Sequence, residues 1–196
     1  FFGDGISTMS RVAFSIGESG FTDFTYPDGQ DPGHPTLFPL IYAVLWKLFG
    51  KSLAISHGFN FLFGIGIISI VFKWMEAETN RSNAIIAVLL LMLTPLFLAQ
   101  TAMLNTHLPL TFFTLYLAYS LKRHNKYHAL FAATMLPLTH LQGLFYLAAV
   151  VIWWFFVQLK NRDWKFRVVK TFKLLIIPAI LFAGWLLYHY QMKGWL

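Results

Sequence analysis

No cysteine occurs in the chain, which excludes disulfides and thiolate metal sites and leaves the redox compartment unreadable. Charge is also scarce. Only 12% of residues are charged, with eight Asp and Glu against fifteen Lys and Arg, where soluble domains carry roughly 25% charged residues. No internal repeat or low-complexity tract is visible, so a solenoid or an inverted-repeat transporter gains no support. A secretory signal is missing too. The chain opens FFGDGIS, with neither Met nor a basic n-region. Its two Phe abut a polar segment like the tail of a truncated apolar helix. The expectation is a fragment of a longer membrane protein.

What is present is apolar sequence. Hydrophobic residues make up 57% of the 196-residue chain, more than a soluble fold of this size can hide. The apolar runs are long and continuous rather than alternating, which excludes a β-barrel and predicts an all-α, polytopic membrane helical bundle. The net charge of +7 sits in short clusters between apolar runs. That is the pattern of cytoplasmic loops, not of a nucleic-acid groove.

Membrane helices are expected at about 56–75, 82–101, 107–121, 127–139, 141–159 and 172–191, joined by the polar connectors KWMEAETNRSN, LKRHNK and KNRDWKFRVVKTFK. The segment QDPGHPTLFPLIYAVLWKLFG (30–50) decides their orientation. From Thr36 to Phe49 it offers about 21 Å of helix at ~1.5 Å per residue, against a hydrocarbon core of ~30 Å. If it does not cross, eleven of the fifteen Lys and Arg share one face: Lys73, Arg81, Lys122, Arg123, Lys126, Lys160, Arg162, Lys165, Arg167, Lys170 and Lys173. The positive-inside rule then places that face in the cytoplasm. Residues 1–55 become an extracytoplasmic loop with a juxtamembrane helix at about 36–50, and residues 56–196 a bundle of about six helices. The spans at 127–159 are short, so two shallow helices are expected to meet at THLQG (139–143), a break tolerated only where protein or a water-filled cavity covers it.

This topology gathers unusual polar residues on the outer face. Asp4 follows the presumed first helix. Asp31 and His34 stand at the entrance of the juxtamembrane helix, Asn105 and His107 in the loop MLNTHLPL, and His140 and Gln142 at the helix break. Polar groups at membrane depth are costly, so each is a functional candidate. Each also has a plainer role. Asp4 suits an N-cap before Ile6, Asp31 a turn before Pro32, and His34 and His107 an interfacial position with the polar tip in water. His57, His124 and His128 read as helix-end or loop residues; Glu18, Asp23 and Asp28 as solvated loop charges; the aromatics as lipid-facing or belt residues. One carboxylate with two or three His near lipid depth suits a general base with a metal or a phosphate. Neutral imidazole and carboxylate ligate Zn²⁺ or Mn²⁺, and a protonated His pairs with phosphate.

Three motifs carry a family resemblance. DPGHPTLFPLIYAVLWKLFGKS resembles the Pro-rich segment after the first luminal loop of the polyprenol-dependent glycosyltransferases of the GT-C superfamily. The nearest groups are bacterial relatives of the protein O-mannosyltransferases and of the lipid A aminoarabinose transferases. Their Lys-Pro-Pro-Leu or His-Pro-Pro-Leu appears here as His34, Pro35, Thr36, Leu37, and their Lys-Leu-Phe-Gly as Lys47, Leu48, Phe49, Gly50. LTPLFLAQTAMLNTHLPLTFFTLYLAYSL is similar to the family's helix, short outer loop and Asp-x-Pro-Leu-x-Phe-Phe, with His107 at the Asp position. LTHLQGLFYL matches a segment in which members carry Lys or His before Gln-Gly. The first loop, GDGISTMSRVAFSIGESGFTDF, looks like the family's Asp-first segment, with Asp4 at the catalytic Asp and Gly5 where many relatives have a second carboxylate.

The resemblance implies transfer of a sugar from a polyprenyl phosphate to a lipid, glycan or protein acceptor, with inversion. Asp4 would be the general base. His34, His107 and His140 would face the donor phosphate or a divalent metal (Mg²⁺, Mn²⁺ or Zn²⁺), supported by Asp31, Asn105 and Gln142. The bilayer is then a partner and nucleic acid is not, and the expected location is a bacterial inner membrane with the site facing outside. The alternatives are a polytopic transporter and a non-catalytic membrane scaffold. A transporter should carry charge along a pathway inside its helices, and 56–72, 84–100 and 108–121 hold none.

Overall fold

The computed structural model describes residues 9–27, 31–159 and 164–195, and among them every regular element is helical. In chain order these are α1 (Arg11–Glu18), α2 (Leu37–Phe49), α3 (Leu53–Glu78), α4 (Arg81–Met92), α5 (Pro95–Ala102), α6 (His107–Lys122), α7 (Lys126–Thr139), α8 (Gln142–Leu159) and α9 (Trp164–Lys193). The chain divides into two compact units, Phe1–Pro32 with Thr36–Phe112, and Gly33–Pro35 with Phe113–Leu196.

In the first unit, α1 is amphipathic and buries Val12, Ala13 and Ile16, and it packs on α2, whose Phe38, Tyr42 and Ala43 are buried. Two lysines lie over aromatic rings in this region. Lys51 Nζ lies 4.3 Å from the Phe14 ring centroid and Lys47 Nζ 4.8 Å from that of Phe21, placements that suit a cation at the rim of an apolar surface. At 13 residues, α2 reaches only about 20 Å.

Aromatic rings fasten α2 to α3. Phe38 and Phe63 centroids are 5.5 Å apart, and Phe59 stands edge-on to both Tyr42 and Phe63 at 5.5 and 5.3 Å. These rings form internal packing, while many other aromatics, Phe61, Phe145 and Phe156 among them, are exposed. The Trp46 indole N–H donates to the Ser56 hydroxyl at 2.9 Å, adding a polar tie. The Tyr42 phenol is buried with no hydrogen-bond partner among the described residues, and burial pushes its pKa well above the usual value.

α3 is capped by Ser52, whose hydroxyl accepts from the Ile55 N–H. At 26 residues and mean hydropathy 1.8 it is long and apolar enough to cross a membrane. The stretch expected as one span over 82–101 is instead broken, with α4 and α5 meeting at 65°. Pro95 is the cause. It lacks an N–H to continue the ladder of α4, and it forces Thr94 to an extended ψ of 117°.

In the second unit, α7, α8 and α9 pack against one another. Asn125 caps α7 through the His128 N–H. His128, expected as a loop residue, lies on α7 and hydrogen-bonds the Tyr116 hydroxyl of α6. α9 starts at Trp164, so much of the connector expected as a loop is helical. Its apolar part, Thr171–Lys193, has only 6% of its most apolar window buried, so most of its surface is uncovered by the rest of the chain. Three helices (α3, α8 and the apolar part of α9) are long and apolar enough to cross a membrane, and the bent α4–α5 pair makes up to four. Of the six expected spans, α6 and α7 are shorter, with 16 and 14 residues.

Because the chain lacks cysteine, single cysteines report sidedness directly. Thr22→Cys and Ser82→Cys are expected to label from opposite sides of the membrane with an impermeant maleimide, since only α3 then crosses between them. Labelling from the same side would make α2 a full span.

Candidate functional site

The break between α7 and α8 is built by one close approach. A Cβ on Gly143 would lie 1.9 Å from the Leu136 carbonyl oxygen, so only glycine lets the first turn of α8 sit on the last turns of α7. Pro137 lies in the same turns of α7 and supplies no N–H. The chain between the helices is extended at His140, with φ −167° and ψ 150°.

His140 itself caps α8. Its Nδ1 accepts the Gln142 N–H at 3.1 Å. That bond settles the neutral tautomer: Nδ1 holds a lone pair, and the proton is on Nε2. His34 meets this side chain, with ring centroids 3.9 Å apart and planes tilted by 47°. The segment carrying His34 is set by Gly33, which has φ +69°, a conformation other residues rarely adopt. Gly33 also lies against the Trp195 indole, where a Cβ would be 3.3 Å from Cζ3. Trp195 in turn leads to His189, 2% exposed on α9. The His189 Nδ1–H donates to the Trp195 carbonyl at 3.0 Å, and the two rings meet edge-on at 4.9 Å. The sequence reading did not single out His189 or Trp195. The available hint was the i, i+4 pair Trp185 and His189, whose centroids are 5.3 Å apart.

The remaining candidates that the structure describes belong to the first unit. The Asn105 side-chain carbonyl accepts the His107 N–H at 3.0 Å, and its amide donates to Gln100 Oε1 at 2.7 Å. Asn105 is therefore a capping residue for α6, and His107 is exposed at the start of that helix. Asn60, fully buried on α3, steadies the same loop. Its Nδ2 donates to the carbonyls of Gln100 and Met103 at 3.3 and 2.8 Å. Asp31 is half-buried, and with burial as the larger cause it raises the Tyr26 phenol well above its usual range. Asp23, expected as a solvated charge, accepts from the Thr25 N–H and hydroxyl at 2.8 and 2.7 Å and so holds a turn. Gln142 enters the site through its backbone N–H, and its side chain is exposed. Asp4 and Asp28 lie outside the described residues.

Of the seven expected site residues, the structure brings His34, His140 and the Gln142 backbone together, 106 residues of chain separating the two His. A metal is a poor fit to what is described. No group of three or more His, Cys, Asp or Glu that could hold one occurs among the described residues. The His34–His140 pair offers two imidazoles, and Nδ1 of His140 is already committed, short of the three or four protein ligands of a zinc site. The pair suits an anion better. None of α7, α8 and α9 carries a carboxylate that would compete with one.

Gly143→Ala is expected to cost more than about 2 kcal/mol, because the methyl group meets backbone rather than a side chain that can move. Gly184→Ala on α9, where nothing lies within 4 Å of the added carbon, should be neutral or stabilising by up to about 1 kcal/mol. Thermal unfolding of the two variants in detergent compares them; equal effects would remove the packing role of Gly143.

No family model matches the chain, and neither does a curated protein or a solved structure.

Proposed function

We propose that the chain is part of a membrane glycosyltransferase of the GT-C type. It moves a sugar from a polyprenyl phosphate to a hydroxyl or phosphate acceptor on the extracytoplasmic face of a bacterial inner membrane. The observation that supports this reading is the contact between His34 and His140. The family resemblance places these residues in two separate motifs, and they meet ring to ring at a helix break beside a carboxylate-poor set of helices. A membrane-embedded phosphodiester needs such a place: donors held at a fixed depth, exposed backbone covered by protein, and no competing carboxylate.

In this reading the acceptor oxygen attacks the anomeric carbon as Asp4 removes its proton. The bond from that carbon to the phosphate oxygen breaks, and the polyprenyl phosphate departs with the electron pair. His140 donates a hydrogen bond from Nε2–H to a phosphate oxygen, and His34 supplies positive charge. Asn105 and Asn60 shape the loop in which His107 stands. No step requires a metal.

Asp4→Asn in the full-length protein is expected to lower transfer from a radiolabelled polyprenyl-phosphate sugar by at least about 10²-fold, the scale of general-base catalysis, while expression and elution stay native. Near-normal transfer would remove the base assignment.

A further inference from the structure

The turn that joins α2 to α3 is uncovered, and every residue at positions 47–54 is exposed. Its large apolar side chains are the most open: Leu48 is 68% exposed, Phe49 66% and Leu53 78%. The corner is nevertheless built rather than frayed. α2 buries its other face through Phe38, Tyr42 and Ala43. The Trp46 indole N–H ties the end of α2 to Ser56 of α3, and Gly50 makes the turn with φ +84°.

Two cations frame these apolar side chains. Lys47 stands in the last turn of α2, and Lys51 comes just before α3. Aromatic rings fix both. Lys51 Nζ lies 4.3 Å from the Phe14 centroid and 5.3 Å from that of Trp46, and Lys47 Nζ 4.8 Å from that of Phe21. A ring beside an ammonium leaves its charge intact, and both lysines are exposed. Between Asp31 and Glu76 the chain has no carboxylate. Among the described carboxylates before α2, Glu18 ends α1, Asp23 accepts from Thr25, and Asp31 precedes the opposite end of α2. The depth of the corner follows from α3. Residues 53–72 hold no Lys, Arg, Asp or Glu. They make about 30 Å of helix at ~1.5 Å per residue, the thickness of a hydrocarbon core. With Lys73 at one edge of that core, Leu53 stands at the other, and Lys47 and Lys51 fall at headgroup level.

We propose that the α2–α3 corner docks on an anionic phospholipid. Leu48, Phe49 and Leu53 enter the acyl layer, and Lys47 and Lys51 meet the negatively charged headgroup. Exposed apolar side chains alone would accept any lipid. Two fixed cations on a stretch without carboxylates select a negative one. The contact holds α2 along the membrane surface rather than across it. It concerns a lipid of the bilayer, and it is independent of the sugar-transfer reading.

The experiment uses the whole chain with Leu48→Cys, the sole thiol, labelled with the fluorophore NBD and placed in phosphatidylcholine nanodiscs. Spin-labelled phosphatidylglycerol or spin-labelled phosphatidylcholine, each with its nitroxide high on the acyl chain, is included at the same low mole fraction. The nitroxide quenches at short range, so the two quenching efficiencies report which lipid gathers at the corner. The expected result is quenching by both lipids, stronger with phosphatidylglycerol and corresponding to about fivefold local enrichment, the scale of one lysine near an anionic surface. Lys47→Gln with Lys51→Gln, checked for native elution and thermal unfolding, should bring the two lipids to equal quenching. Lys47→Arg with Lys51→Arg should keep the preference. Equal quenching with both lysines in place, a preference that survives the Gln pair, or one that is lost in the Arg pair would overturn the proposal. Absence of quenching by either lipid would put the corner in water and overturn it as well.

Discussion

The approach of Gly143 to the Leu136 carbonyl is the constraint from which the site follows. A helix break near membrane depth exposes backbone groups that hydrocarbon cannot solvate. Here the break is kept to the residues between Thr139 and Gln142 because α8 starts directly against the end of α7. That leaves His140 extended at the junction, with its Nδ1 close to the first free N–H of α8. A side chain that caps a helix has its tautomer chosen for it. The ring that meets His34 therefore keeps Nε2–H as its donor. Glycine at 143 and at 33 do related jobs, one admitting a backbone and the other admitting a left-handed turn against Trp195.

Charge gives the second layer. The chain segregates its carboxylates, seven of eight falling at or before Glu78. In sequence this reads as topology, because basic clusters mark cytoplasmic loops. In the second unit it has a further effect: α7, α8 and α9 form a packed set with no carboxylate to neutralise a cation.

Much of the architecture was legible in the sequence because apolar runs bounded by Ser, Asn and Lys clusters mark helices and their caps. α3, α6, α7 and α8 fall within a few residues of expectation, and THLQG is a true break. Pro95 was visible, yet a proline inside an apolar run either kinks or starts a helix, and the 65° turn depended on Thr94 going extended. The helical start of α9 was hidden because its first turns are basic and polar. The pairing of His34 with His140 could be suspected only from motif order. His189 and Trp195 gave no such signal, since their partnership closes a loop through a backbone carbonyl. Asn105 was read as a supporting residue of the site, and its part in capping α6 shows only in its bond to the His107 N–H.

The central claim is that positions 34 and 140 lie together at the α7–α8 break. The chain's lack of cysteine allows a direct measurement. With His34→Cys and His140→Cys combined and a protease site placed between Glu78 and Arg81, a short bis-thiosulfonate reagent is added to native membranes, which are then cleaved and run under denaturing conditions. The account predicts that the two fragments stay joined until reductant is added, and that either single cysteine lets them separate. Fragments that separate in the double variant, with both thiols accessible and the protein folded, would contradict it.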